Sequence, residues 1–433
     1  MDTTPFITQD TIAFGIVMLT IGFVFYTSSS KNNGWIKFYK IVPSLLMAYM
    51  LPAIFTSIGI IAPEWETVDA VGNITTHESN LYYVASRFLL PAALILMTLS
   101  IDLKAVFDLG PKALIMFITG TIGIVIGGPI AIILISMISP ETVGGAGPDA
   151  VWRGLATLAG SWIGGGANQA AMLEIYEYNP KKYGGMVLVD IVVANIWMAI
   201  VLMGIGKSKK IDKWLNADTS AIERLKEKVS TYADKITRNP SLADLMVILS
   251  IAFTVVGFAH FGANAVSEFL KENFEAVSDK SSALSSFGSQ FFWMISISTI
   301  IGIILSFTKF KKYEGAGASK IGSVFIYILV ATIGMKMDLS KILENPGLIL
   351  IGLVWMTIHV ILLIVVAKLI KAPYFFLAVG SQANVGGAAS APIVAAAFHP
   401  SLATVGVLLA VFGYVVGTYG AMLTAELMRI VAP

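Results

Sequence analysis

The sequence predicts an all-α polytopic membrane protein, and three observations lead to that class. Hydrophobic residues make up 56% of the 433 residues, charged residues make up 13%, and the mean hydropathy is +0.79. Soluble domains carry about 25% charged residues. The apolar residues form continuous runs of about 20 residues, the length of a helix that crosses a bilayer. The runs lack the alternation of a barrel strand, so helices are the expected spanning elements.

Apolar runs and one charged segment divide the chain. We predict spanning helices near residues 11–29, 38–61, 83–101, 112–138, 185–206, 243–261, 286–308, 320–336, 347–369 and 401–427. Two further apolar segments, near 151–178 and 373–399, are rich in Gly and Ala and contain polar side chains. A charged linker lies near the middle of the chain. The predicted regions are therefore a first half, 1–206, the linker, 207–240, and a second half, 241–433.

The distribution of charge predicts the orientation. The linker has nine Lys and Arg residues against five acidic residues, so the positive-inside rule places it in the cytoplasm. The loop 62–82 has no Lys or Arg and is expected outside. A net charge of +2 gives no reason to expect a nucleic-acid partner. The absence of cysteine excludes thiolate metal sites and cysteine nucleophiles.

The two halves resemble each other in the order of their motifs. Each has an Asp-Leu pair near the end of a span, at Asp102 and at Asp338. One span later comes GSWIGGGANQA at 160–170 and GSQANVGGAASA at 380–391. Basic neighbours place Asp102 inside and Asp338 outside, so we predict two inverted repeats of about five spans each. Each Gly-rich segment is either a re-entrant hairpin or a broken crossing helix, and the hairpin is the favoured alternative.

The Gly-rich segments are the predicted substrate site. A helix that breaks inside the membrane exposes N–H groups that attract an anion and carbonyls that can hold a cation. Glu174, just past the first segment, could line the entrance. The alternative is that the small residues serve close helix packing. The candidate substrate-binding residues are Ser161, Gly165, Gly166, Asn168, Gln169, Gln382, Asn384, Gly386, Gly387 and Ser390.

The predicted Na⁺ ligands combine the two motif asparagines with an acid in a following span. Asp190 and Asn195 lie a little over one turn apart, and we expect them to bind the cation together with Asn168 and Asn384. Ionisable residues within spans are costly and usually functional. Asp190 could equally be an interfacial acid turned toward water. His359 lies near mid-span and is interpreted as structural.

Motifs of other functional classes are absent from the sequence. There is no HExxH, GxSxG, P-loop or His/carboxylate cluster, so we do not expect an enzyme. An ion channel with re-entrant filter loops is the alternative from another class. Two different hairpins from opposite faces suit a secondary transporter better than a ring of identical loops.

The motifs GSWIGGGANQAAM and GSQANVGGAASAPIVAAAF, with the two Asp-Leu pairs, resemble the YjcL-like family of bacterial membrane proteins, a domain of unknown function. More distantly, the chain is similar to sodium/glutamate symporters and 2-hydroxycarboxylate transporters. The resemblance implies a homodimer in the bacterial cytoplasmic (inner) membrane, an elevator mechanism, Na⁺ coupling and a small anionic solute. That solute would be a carboxylate, an amino acid or a short acidic or cell-wall peptide. The motifs depart from those of the relatives and have no arginine beside them, so proton coupling and antiport remain alternatives.

Overall fold

The computed structural model of the protein describes most of the chain as long apolar helices. The described residues are 4–39, 42–68, 73–220, 222, 225, 239–279, 284–342, 344–399 and 402–433. In these ranges eight helices are long and apolar enough to cross a membrane, or up to ten if each of two bent pairs is one span. The polytopic helical membrane class is therefore confirmed.

The helices of the first half follow the predicted runs closely. A π-helical turn, Ala85–Leu89, joins two of the helices, and Gly147–Asp149 forms a 3₁₀ turn. The helices are α1 (Asp10–Ser28), α2 (Asn33–Tyr39), α3 (Ser44–Ser57), α4 (Leu81–Val84), α5 (Leu90–Leu99), α6 (Leu103–Asp108), α7 (Pro111–Ser136), α8 (Pro140–Val143), α9 (Val151–Ile175), α10 (Tyr183–Ile205) and α11 (Ser208–Leu215).

The second half repeats this pattern of long helices followed by a Gly-rich pair. Three 3₁₀ turns connect them, Ser285–Gly288, Lys309–Ala316 and Leu339–Lys341. The helices are α12 (Leu242–Asn273), α13 (Glu275–Ser278), α14 (Gln290–Ser306), α15 (Ala318–Lys336), α16 (Gly347–Leu369), α17 (Tyr374–Val385), α18 (Gly387–Phe398) and α19 (Ala403–Val431).

One part of the fold is not helical. The loop predicted at 62–82 contains two antiparallel strands, β1 (Glu64–Val68) and β2 (Ile74–Glu78), with Glu64 opposite Glu78. Thr and Val favour strands, and the polar residues that alternate with them keep both faces accessible. Only a loop was predicted in this segment, so the two strands are an addition to the all-α class.

The helices pack into two groups. Helices α1, α3, α5, α12, α14 and α15 contact mainly one another, and we call them the wall bundle. Helices α7, α9, α10, α16, α17, α18 and α19 form the hairpin bundle. Each half of the chain supplies three long helices to the wall bundle and two long helices with a Gly-rich segment to the hairpin bundle. Fewer contacts join the bundles than hold each one together.

Hydrogen bonds and ion pairs define two opposite ends of the bundles. At the β-hairpin end, Lys181 Nζ lies 2.7 Å from Glu64 Oε1, and Asp338 N–H donates to the Lys181 carbonyl at 3.1 Å. At the linker end, Lys112 Nζ lies 3.2 Å from Asp218 Oδ2, and Asp218 N–H donates to the Lys371 carbonyl at 3.1 Å. The Asp102 and Asp338 carboxylates cap short helices at opposite ends, accepting from Ala105 N–H and Ser340 N–H.

The described part of the predicted linker is mainly its beginning, residues 207–220. Helix α11 covers Ser208–Leu215, and Leu215 is buried while Trp214 is exposed. Its start at residue 208 follows directly on α10. Most of the basic residues on which the orientation rests lie outside the described residues, namely Arg224, Lys226, Lys228, Lys235 and Arg238.

Candidate functional site: two opposed hairpins

The first Gly-rich segment, α9, reverses direction at Gly165. This glycine has φ 74° and ψ −173°, so it interrupts the helix. Gly160 and Met172 would be roughly 18 Å apart in a continuous helix. Instead Met172 Cγ lies 2.9 Å from the position that a Cβ on Gly160 would occupy. The two arms therefore run antiparallel, and we call residues 151–175 the first hairpin.

The base of the first hairpin is closed at the β-hairpin end. Arg153 Nη1 donates to the Tyr176 carbonyl, and Asn179 N–H donates to the Pro148 carbonyl at 2.9 Å. Asn179 Nδ2 also donates to Asp149 at 2.7 Å. This hydrogen bond, with Lys182 at 3.1 Å, holds the pKa of Asp149 below its usual value.

The second Gly-rich segment reverses at Gly386–Gly387 and enters from the linker end. Gly387 has φ 53° and separates α17 from α18. The Phe375 and Phe398 rings, at the two ends of the segment, are 5.3 Å apart. Tyr374 N–H donates to Asp212 in α11 at 2.7 Å, which fixes the base at the linker end. Residues 374–398 are the second hairpin.

The tips of the two hairpins meet inside the hairpin bundle. A Cβ on Gly387 would lie 3.9 Å from the Gly165 Cα. Both glycines have positive φ, which a side chain would disfavour. Helix α17 ends and α18 begins at this depth, so carbonyls and N–H groups without helical partners lie near each other. Such ends can accept a cation and an anion respectively.

Asn168 and Asn384 make the same kind of hydrogen bonds in their respective hairpins. Asn168 Nδ2 donates to the Gly164 carbonyl at 2.9 Å, and its Oδ1 accepts from Thr418 Oγ1. Asn384 Nδ2 donates to the Gly380 carbonyl at 3.0 Å, and its Oδ1 accepts from Thr121 Oγ1 at 2.8 Å. Each amide oxygen keeps a second lone pair. The asparagines thus fasten each tip to a neighbouring long helix and retain one position for a cation.

Asp190 is buried against the first hairpin. Its side chain accepts from Ser161 Oγ at 2.7 Å, Trp162 Nε1 at 2.7 Å and Gln169 Nε2 at 3.2 Å. The residue is 8% exposed, so the alternative of an interfacial acid turned toward water is wrong. Among the described residues, no Lys, Arg or His forms an ion pair with Asp190. Three neutral donors, rather than a cation, surround this carboxyl group.

The second hairpin has a comparable buried network. His359 Nδ1 lies 2.9 Å from the Gly120 carbonyl, which can only accept, so Nδ1 carries the proton. Ser381 Oγ lies 2.8 Å from His359 Nε2 and accepts from Trp197 Nε1 at 2.8 Å. Ser381 and Ser161 occupy the same place in the two motifs, and each contacts a buried ionisable side chain, His359 and Asp190 respectively.

Gln382 carries an unused donor at the second tip. Its Oε1 accepts from Ser390 Oγ at 2.9 Å, whereas Nε2 is buried and has no hydrogen-bond partner in the described structure. A buried unpaired donor costs about 1–3 kcal/mol. Because a Cβ on Gly386 would lie 1.6 Å from Ser390 Oγ, only glycine leaves this arrangement intact. An anionic group at the tip would satisfy Gln382.

The structure groups most of the candidate residues and separates one. Asn195 is exposed and donates to the Ile191 carbonyl at 2.7 Å, so it does not join Asp190, and the expected Asp190–Asn195 pair is wrong. The remaining candidates lie in or between the hairpins. Sequence reasoning missed five side chains that hold this region together, Trp162, Trp197, Ser381, Thr121 and Thr418.

A cleft of about 570 Å³ opens at the β-hairpin end between the two bundles. On its wall side lie Arg87 and Phe291, and on its hairpin side lie Arg153, Glu174 and Glu177. Arg87 Nη1 contacts Glu174 Oε2 at 2.5 Å, and Tyr82 also donates to Glu174. The cleft is roughly 18 Å from the Gly165 tip, from twelve residues of helix. It is therefore separate from the tip site.

These features define a polytopic membrane protein in which two glycine-broken hairpins enter one helical bundle from opposite ends. The family model described as "Protein of unknown function (DUF819)" matches residues 15–431, so the chain belongs to this family. It is also 24% identical over 388 residues to the "Uncharacterized membrane protein YjcL" of Bacillus subtilis (strain 168), covering 88% of this chain and 89% of that protein. The resemblance to the YjcL-like family is thereby confirmed.

Proposed function

We propose that this protein is a secondary active transporter, a Na⁺-coupled symporter of a small anionic solute. The observation that carries the proposal is the meeting of two hairpins from opposite ends at Gly165 and Gly387. Such tips bring helix N-termini and C-termini together away from either end of the protein. This arrangement suits an anion and a cation bound side by side.

The solute site of the proposal is the second tip. The buried Gln382 Nε2 and the N–H groups that begin α18 would donate to a carboxylate, and Ser390 orients Gln382. Sodium prefers hard oxygen ligands, and the second lone pairs of Asn168 Oδ1 and Asn384 Oδ1 are available. The donors around Asp190 point at its carboxylate, so Na⁺ binding there requires the Gln169 amide to turn its oxygen inward.

An elevator movement of the hairpin bundle against the wall bundle is the proposed conformational change. The contribution of helices from both halves of the chain to each bundle supports it, since this is the arrangement expected of the predicted inverted repeats. The lipid-facing wall helices would anchor a homodimer in a bacterial inner membrane. Mass measurement of the detergent-solubilised protein would test the dimer.

Thermal stability of the purified protein in Na⁺ and in K⁺ at constant ionic strength tests the coupling ion. The measurement is repeated with a panel of candidate solutes, which are acidic amino acids, dipeptides and hydroxy acids. A ligand that binds only the folded state raises the apparent stability of the protein. Asn168→Ala and Asn384→Ala remove tip hydrogen bonds and lower stability in both salts. The decisive quantity is therefore the difference in melting temperature between Na⁺ and K⁺. We expect this difference in the wild type and not in the variants. Equal melting in both salts contradicts Na⁺ coupling.

Proton coupling is the second candidate, and Asp190 favours it. A buried carboxyl group without a basic partner, in a span, can carry a proton across a moving element. In proteoliposomes, an imposed pH gradient would then drive uptake in wild type and not in Asp190→Asn. An ion channel would instead conduct its ion with a flux that does not saturate, and that flux would not be coupled to a second, driving ion.

A further inference from the structure

The cleft contains two charged side chains of opposite sign that lack ion-pair partners among the described residues. These are Arg153, in the first arm of the first hairpin, and Glu177, just beyond its second arm. Lys271 also lines the cleft without an ion pair among the described residues, whereas Arg87 pairs with Glu174 and Arg429 contacts Glu426.

The Arg153 guanidinium is held in position without a direct ion pair among the described residues, although the Glu177 and Glu426 carboxylates lie near enough to attract it. Its Nη1 donates to the Tyr176 carbonyl, and its Cζ lies 5.0 Å from the centre of the Trp152 ring. Its Nε is buried without a hydrogen-bond partner in the described structure. An arginine held by a stacked aromatic ring keeps its planar donors available for a carboxylate.

Glu177 occupies a backbone position that ordinarily belongs to glycine. Its φ is 48°, and Tyr178 N–H donates to the Leu173 carbonyl at 3.2 Å, the hydrogen bond that closes a helix C-terminus. A side chain is disfavoured in this left-handed conformation. The carboxylate of Glu177 is exposed and lines the cleft. The protein thus carries an acid where glycine would fit the backbone better.

The volume and lining of the cleft match a small polar ligand. Small-molecule sites measure about 300–1,000 Å³, and this cleft measures about 570 Å³. Ile175, Phe291 and Met294 supply apolar surface to the lining. Lys271 adds to the lining a positive charge that has no ion pair among the described residues, which favours an acidic solute over a basic one.

We propose that the cleft is an entry site for zwitterionic solutes, amino acids or short peptides, with Arg153 binding the carboxylate and Glu177 the ammonium group. This proposal narrows the substrate class of the proposed transporter. The role of the cleft in transport rests on that proposed function. A solute that carries a carboxylate but no ammonium group binds Arg153 and does not bind Glu177.

Binding of three related probes to the purified full chain tests the site by calorimetry. The probes are L-alanyl-L-glutamate, its N-acetyl derivative without the ammonium group, and its diamide without carboxylates. We expect the dipeptide to bind at least about tenfold more tightly than either blocked form, because each blocked form loses a charge-assisted hydrogen bond. In Arg153→Gln the dipeptide should fall to the affinity of the diamide, and Arg153→Lys should restore part of the difference.

Glu177→Gly is the sharpest variant, because glycine suits the backbone and removes only the carboxylate. It should lower dipeptide affinity to that of the N-acetyl form and leave the N-acetyl form unchanged. Lys371→Gly is the matched control, since Lys371 also has positive φ, 52°, and lies at the linker end. Equal affinity of the wild type for the three probes, no binding of any, or equal weakening of all three in Glu177→Gly overturns the proposal.

Uptake into proteoliposomes separates this proposal from the transport function. If the charge-specific binding holds and no gradient drives uptake, the site stands and the transporter proposal fails. If a solute is taken up and Arg153 and Glu177 variants leave its affinity unchanged, the transporter stands and the site fails.

Discussion

Replacing Gly417 by alanine tests whether the first tip is fastened to α19 as tightly as the geometry indicates. A Cβ on Gly417 would lie 2.6 Å from the Gly164 Cα and 2.5 Å from Asn168 Nδ2. Ordinary contact requires about 3.4 Å or more, so the hairpin must move away by about 1 Å. Overpacking of this kind costs about 1–3 kcal/mol. Displacing Asn168 also weakens its hydrogen bonds with Gly164 and Thr418, each worth about 1 kcal/mol. We therefore expect a loss of about 2–5 kcal/mol.

The assay is thermal unfolding of the purified protein in detergent, with Gly15→Ala and Gly257→Ala as matched controls. Both control glycines lie within long helices, and a Cβ at either meets nothing within 4 Å. Alanine has the higher helix propensity, so the controls should melt at or slightly above the wild-type temperature. A Gly417→Ala protein that melts with the controls would refute the close contact between α19 and the first hairpin.

Three further predictions concern single charged groups. Asp190→Asn should lower stability by about 1–3 kcal/mol, because its amide cannot accept from all the present donors, and unfolding measures it. Glu174→Gln and Arg87→Gln should be non-additive by about 1–3 kcal/mol in a double-mutant cycle, since their ion pair joins the two bundles and is mostly buried. The Ser220 hydroxyl and Lys112 lower the pKa of Asp218 to about 2. The stabilisation by the Asp218 carboxylate is thus present above the ordinary pKa of Asp and lost as pH falls toward 2. High salt should weaken only the Lys112 part of this pH dependence, and Asp218→Asn should remove all of it.

The helix positions were predictable because a span of apolar residues is a signal in one dimension. The predicted run 347–369 coincides with α16, and the run 112–138 differs from α7 by two residues at most. The Gly-rich motifs were equally visible, since glycine with positive φ at Gly165 and Gly387 is a requirement of the backbone itself. The strands β1 and β2 were missed because short polar strands leave little hydrophobic pattern.

The residues that contact the buried Asp190 could not be predicted from the sequence in the same way. Asn195 lies five residues after Asp190, a rotation of about 140° on a helix, so it faces away. Trp197 lies seven residues after Asp190 and returns to within about 20° of the same face. Helical rotation could therefore have predicted that Trp197 lies on the same face of the helix as Asp190. Trp197 donates a hydrogen bond to Ser381. The contacts of Ser161 and Trp162 with Asp190 depend on how the first hairpin folds back, which periodicity does not specify.

A cross-link between the bundles tests the elevator proposal in a chain that has no native cysteine. At the first tip, a Cβ on Gly166 would lie 3.9 Å from Ile326 Cγ2 in α15 of the wall bundle. Ile326 Cβ lies one bond from Cγ2 and beyond 4 Å, near the range of about 3.5–4.5 Å between Cβ atoms in disulfides. A small movement should therefore let Gly166→Cys with Ile326→Cys form a disulfide on oxidation. If the hairpin bundle moves against the wall bundle, this bond should abolish uptake, and reduction should restore it.

A cross-link within the wall bundle is the matched control for that experiment. A Cβ on Gly322 would lie 3.4 Å from Leu96 Cβ, between α15 and α5. Oxidised Gly322→Cys with Leu96→Cys should therefore leave uptake intact, because a wall that moves as one body is not hindered by a bond inside it. Uptake that survives the tip-to-wall bond would contradict the elevator and favour local opening of the hairpins. Loss of uptake in both pairs would show that either the wall bundle itself must deform or the disulfides distort the packing, and melting of the oxidised and reduced proteins separates these two explanations.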